Sequence, residues 1–124
     1  MPGVDLNSFK RLRKEYKNLS SEYSTLNSNS FNGGYLSGDR ESLWDAMWRY
    51  SDLYDSLDTL GIQIEQQLRA CSDLKNRDEY EGMISDIESL KSDCISDYNE
   101  IKSGLGQFSD SERRRMEEFR IDRL

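Results

Sequence analysis

The sequence predicts an all-α fold, a small antiparallel bundle of three main helices followed by a short C-terminal helix. Apolar residues recur at alternating spacings of three and four along most of the chain, the period of helices packed on one face. No segment shows the strict alternation of a half-buried strand. The 124 residues include one proline, and 33% charged against 35% hydrophobic side chains suit surface-rich helices. That length makes one domain with a modest core.

The first helix is expected over about residues 5–27, with Asp5 as its N-cap. Phe9, Leu12, Tyr16, Leu19, Tyr23 and Leu26 form a narrow, coiled-coil-like seam. Three heptads are too few to stand alone, so this helix must dock on something. Residues 28–38 are rich in Asn, Ser and Gly and read as a connection that packs through Phe31, Tyr35 and Leu36. Ser37 or Asp39 then caps the second helix.

That helix, expected over 39–75, organises the chain. Leu43, Tyr50, Leu57, Ile64 and Cys71 recur along it, with Ala46, Leu53, Leu60 and Leu74 between them. Continuing its register past Leu74 would bury Asp78, Glu81, Ser85, Glu88 and Ser92. The apolar set that follows is instead Tyr80, Met83, Ile84, Ile87, Leu90, Cys94, Tyr98, Ile101 and Leu105. One face cannot carry both registers, so a turn is expected near Asn76, with Asp78 opening a third helix over 78–103. Folding back from there places Leu74 near Tyr80, Cys71 near Met83 and Ile64 near Leu90. The two cysteines then lie roughly 18 Å apart along the hairpin, too far for a disulfide. They read as buried thiols in a reducing compartment.

Gly104 and Gly106 are expected to stop the third helix. Ser109-Asp110-Ser111-Glu112 is a capping-box pattern that opens a last helix over about 110–123. Arg113, Arg114 and Arg115 crowd the positive end of its dipole, so it should fray unless it binds its own bundle or a partner. Residues 1–106 are therefore expected to form the bundle domain, and 107–124 a charged contact segment.

The net charge is −7, and it is unevenly spread. Residues 1–37 carry five basic and three acidic side chains, residues 38–103 seven and sixteen, and residues 104–124 five of each. The acidic middle argues against nucleic acid and anionic membranes as partners. Lys10, Arg11, Arg13, Lys14 and Lys17 form a basic stripe, which is expected to complement an acidic neighbouring helix within the fold. Neither a signal-peptide core nor a bilayer-length apolar run occurs, so the expected location is cytoplasmic.

The absence of histidine removes the commonest general acid–base and nucleophile–base pairs and most zinc and di-iron sites. Neither a phosphate loop nor a calcium-loop pattern is present. The expectation is a protein with no catalytic, cofactor-binding or metal-binding residues. Asp45, Asp52, Asp55 and Asp58 line the outer face of the second helix. Trp44 and Trp48 sit one turn apart on it, outside the seam, where the apolar arc is wide enough to need another neighbour. One tryptophan is expected to pack internally, against the loop at Phe31–Tyr35, the first helix or the Phe108–Phe119 tail. The other is expected to contact a partner.

The expected contact residues are thus Trp44, Trp48, Asp45, Asp52, Asp55, Phe108, Met116 and Phe119. They suit a non-enzymatic adaptor, chaperone or oligomer subunit with a protein partner or a second copy of itself. The alternative is an acidic inhibitor, of phage anti-defence or nucleic-acid-mimic type, that blocks a basic groove with the Asp-rich face. One further likeness covers roughly residues 5–75. A helix, then Phe31-Asn32-Gly33, then a long helix loosely resembles the WXG-type helical hairpins of type VII secretion. The resemblance implies an aromatic-x-Gly turn between two helices. Here Phe replaces Trp and the loop is longer, and the Tyr-x-x-x-Asp spacing falls at Tyr54–Asp58, inside a helix.

Overall fold

The computed structural model describes residues 6–124 and has the expected all-α architecture. Helix α1 spans Leu6–Ser30, α2 Arg40–Ala70, α3 Leu74–Leu105 and α4 Asp110–Met116. A two-stranded hairpin, β1 (Phe31–Asn32) and β2 (Tyr35–Leu36), links α1 to α2, and a 3-10 turn at Ile121–Arg123 closes the chain. Helices α2 and α3 form the central antiparallel pair, with α1 laid along one side and the tail along the other. No helix among the described residues is long and apolar enough to cross a membrane.

The seam of α1 is as expected: Leu12 is fully buried, and Phe9, Tyr16, Leu19, Tyr23 and Leu26 pack against the core. Asp5, the expected N-cap, lies outside the described residues. The helix runs three residues beyond Asn27, and Ser30 at its end is buried.

The connection expected over 28–38 contains two short strands that the apolar pattern does not announce. Phe31 pairs with Leu36 and Asn32 with Tyr35, around Gly33 and Gly34 at φ 61° and 87°. Positive φ at both central residues is what a two-residue type I′ turn requires, and Gly-Gly supplies it without strain. The Ser37 amide donates to the Ser30 carbonyl at 2.8 Å and closes the base. Where the WXG likeness implies a bare turn, this chain has a β-hairpin.

Asp39, the cap of α2, accepts from the Ser42 amide at 2.8 Å. That hydrogen bond holds the Asp39 carboxyl below its usual range. The helix stops at Ala70, five residues before the expected end. Asp73 caps α3 through the Lys75 amide and also accepts from Asn76 Nδ2. Arg77 donates to the carbonyls of Leu68 and Cys71 at the end of α2, where Leu68 also accepts from the Cys71 amide.

Moving the turn from Asn76 to residues 71–73 shifts the hairpin register. Ile87 packs beside Gly61, Lys91 bonds Asp58, and Tyr50 bonds Asp97, whereas the expected register puts Ile64 near Leu90. The slip is about two helical turns, which keeps the same faces inward. Tyr80, Met83, Ile87, Leu90, Cys94, Tyr98 and Ile101 are accordingly buried. Leu74 is the casualty: expected in the core, it opens α3 and is 77% exposed. Cys71 and Cys94 are buried and free, as expected. Burial pushes the Cys94 thiol up to about 12, so it is inert.

Gly104 does not stop α3, which continues to Leu105 and ends on Gly106 at φ 78°. Gly104 instead lies where a Cβ would overlap the Leu36 side chain, letting the hairpin sit close to α3. The capping box of α4 forms as expected, with Glu112 N donating to Ser109 Oγ and Ser109 N to the Glu112 carboxylate. The helix ends at Met116, not near 123. An unbroken helix would splay Met116, Phe119 and Ile121 around its axis. Unwinding after Met116 buries all three.

Candidate protein-binding surface

The two apolar flanks of α2 meet different fates in the fold. On one side the tail covers Trp44. Phe108 and Phe119 pack on the indole at centroid distances of 5.9 and 5.6 Å, and the Arg115 guanidinium lies over it at 5.6 Å. Phe119 also meets Tyr98 edge-on. The seat is polar at its rim and its floor. Arg40 donates to the Leu105 and Gln107 carbonyls and pairs with Glu112. The Ile121 amide donates to the buried Ser51 hydroxyl at 3.1 Å. Asp122 accepts from Tyr98 at 3.1 Å and from Lys102 at 2.6 Å.

Arg120 reaches back to Asp55 at 3.3 Å and Asp58 at 3.2 Å. Asp58 also accepts from Lys91 at 2.9 Å, and both cations lie over the Tyr54 ring. The Lys91 hydrogen bond, helped by Arg120, holds the Asp58 carboxyl below its usual range. Of the expected contact residues, then, Trp44 and Phe108 are half-covered, while Met116 and Phe119 face the chain's own core. The tail is held because it binds its own bundle.

On the other side α2 and α1 leave an open trough. Its larger part, about 700 Å3, is lined by Asn18, Ser21, Glu22 and Thr25 of α1 facing Asp45, Trp48, Arg49 and Asp52 of α2. A shallower part of about 400 Å3 continues past Asn18 and Ser56 to Asp55 and Gln63. Trp48 is 52% exposed at this trough. Leu26, Leu43, Ala46 and Leu53 add apolar surface to it. The sequence points to Trp48, Asp45, Asp52 and Asp55 here, and its apolar stripes say nothing of the α1 side. Asn18, Ser21, Glu22, Thr25 and Asn29 do recur at helical spacing as small or polar residues, and that stripe is the signal for the second wall.

The acidic face carries less free charge than its sequence suggests. Asp45 pairs with Arg49 at 2.8 Å, and Asp55 and Asp58 are engaged by Arg120. Asp52 and Glu22 make no ion pair among the described residues. The basic stripe departs from expectation in the opposite way. Among the described residues Arg11 pairs only with Glu15 on its own helix, and Lys10, Arg13, Lys14 and Lys17 are exposed with no ion pair. Expected to be answered within the fold, these charges are left facing solvent.

No family model matches the chain, nor does any curated protein or solved structure. The functional reading rests on the trough. Tyr23, Tyr50, Tyr98 and Cys94 have displaced proton affinities, each chiefly through burial, and none lines it. Each is pushed towards its unreactive protonated form. Among the described residues no cluster of His, Cys, Asp or Glu is placed to hold a metal ion.

Proposed function

We propose that this chain is a non-enzymatic protein-binding module that engages its partner through the α1–α2 trough, with Trp48 as the anchor. The observation that carries the reading is the half-exposed Trp48 on a long helix beside an open groove. An indole held on a regular helix offers a large contact area at little entropic cost, the character of a binding hot spot. Its neighbour Trp44, one turn away, is spent on the tail, so the two tryptophans divide between packing and contact. A reducing, cytoplasmic setting accords with two cysteines that are free and buried.

The acidic-inhibitor alternative has weaker support. Asp45, Asp55 and Asp58 are already paired with cations of this chain, which leaves Asp52 and Glu22 as its free charge.

Site-specific photocrosslinking in the source cells tests the proposal. A benzophenone amino acid replaces Thr25, exposed in the trough across from Trp48, in one variant and Glu79, exposed at the far end of α3, in another. Discrete adducts from position 25 that are absent from position 79 are the expected result. No adduct at 25, or the same adducts at both positions, overturns the reading.

A further inference from the structure

We propose that the occupant of the trough is a second copy of this chain, docked through the basic half of α1 in a two-fold dimer. This rests on the trough being a protein-binding surface, and it names the partner. Two neighbouring surfaces of one molecule are complementary in charge. The trough presents Glu22 and Asp52, exposed and without ion pairs among the described residues, beside Trp48. Lys10, Arg13, Lys14 and Lys17 are likewise exposed and without ion pairs among those residues, on the turns of α1 that precede Asn18.

The positions along α1 fit a two-fold arrangement. Asn18 stands where the two parts of the trough meet, with Ser56 across from it. Lys14 precedes Asn18 by four residues and Glu22 follows it by four, each about 6 Å away along the axis. An axis through Asn18 therefore sets Lys14 of each protomer against Glu22 and Asp52 of the other. It carries Lys10 towards the partner's Trp48, where an ammonium is favoured over the indole face. Every contact is made twice, as an isologous interface requires. At the crossing, Asn18 and Ser21 carry short side chains that let two helices approach closely.

Sedimentation equilibrium of the full chain at low and high salt, with two charge reversals, decides the matter. Lys14 and Asp52 are both exposed, so Lys14→Glu and Asp52→Lys leave the core intact, and circular dichroism checks this. The wild type is expected to dimerise, less tightly at high salt. Each reversal alone opposes like charges twice per dimer and should weaken self-association about tenfold or more. An equimolar mixture of the two variants sets the glutamate introduced at position 14 against the lysine introduced at position 52, and should restore the dimer. A wild type that stays monomeric at all concentrations overturns the inference, as does a dimer that neither reversal weakens. If the wild type is monomeric while position 25 still crosslinks a different protein, only the identity of the partner falls. If nothing crosslinks, the trough reading falls with it.

Discussion

The Tyr50 hydroxyl donates to Asp97 Oδ2 at 2.8 Å, tying the buried face of α2 to α3. The same oxygen accepts from Tyr23 and from Asn27 Nδ2 of α1, each at 2.8 Å, so three helices meet on one carboxylate. A hub of this kind specifies how α1 sits on the hairpin, which its narrow apolar seam does only weakly.

Breaking the hub from its centre should cost more than trimming one arm. Tyr50→Phe removes one charge-assisted bond and keeps the ring, and about 1–2 kcal/mol is expected. Asp97→Ala strands two hydroxyls and an amide at once, and about 3 kcal/mol is expected. Urea unfolding followed by far-ultraviolet circular dichroism gives both values. Equal losses would mean that Asp97 contributes no more than any single partner.

Alkali should unfold the protein through its tyrosines. Burial first, and then the Asp97 carboxylate, raises the pKa of Tyr23 and Tyr50; burial and Asp122 do the same for Tyr98. The folded state therefore holds these protons when the unfolded chain has released them. The stability they supply is complete below the ordinary tyrosine value of 10.0 and falls as pH rises beyond it. Melting temperature should drop steeply above about pH 10, and tyrosinate absorbance should appear for these rings only with unfolding.

The tail should be released by a core mutation more readily than by a charge mutation. Phe119 is 5% exposed between Trp44 and Tyr98, and Phe119→Ala should cost about 3 kcal/mol. Arg120→Ala breaks ion pairs that are largely solvated, and under about 1 kcal/mol is expected. Trp44 emission should shift to the red in the first variant and scarcely in the second. Acid is the gentler probe of the same seat. The depressed Asp58 supplies stability above its ordinary carboxylate range, and this is lost as pH falls through its lower folded value.

The residues explain which parts of this structure are legible in the chain itself. The seams of α1, α2 and α3, the Asp39 cap and the Ser109–Glu112 capping box are local patterns, and local patterns survive folding. The α2–α3 turn departs from its expected place because its determinant, Asp73 bonding Lys75 and Asn76, outweighs the phase of the apolar stripe. A stripe repeats every two turns, so phase alone fixes the face and leaves the register free. Trp44 and Trp48 cannot be told apart by spacing, since only the path of the tail covers one and spares the other. The trough is half visible, its acids from composition and its α1 wall only once two helices lie side by side.

Glycine substitutions should separate the hairpin from the helices by the sign of their effect. No atom lies within 4 Å of where a Cβ would stand at Gly33 or Gly34, so space is not their constraint; backbone conformation is. At φ 61° and 87° an L side chain is strained, and Gly33→Ala or Gly34→Ala should each cost about 1 kcal/mol. Gly82 also has open space around it, but it lies within α3 and shows no positive φ. There alanine relieves the entropy cost of glycine in a helix, and Gly82→Ala should stabilise by about 0.5–1 kcal/mol. Thermal melts of the three variants would show two falls and one rise. Hairpin variants as stable as the wild type would mean that the turn conformation is not what holds the 31–36 segment in place. The segment would then owe its shape to Leu36 seated on Gly104 and to the Ser37–Ser30 bond at its base.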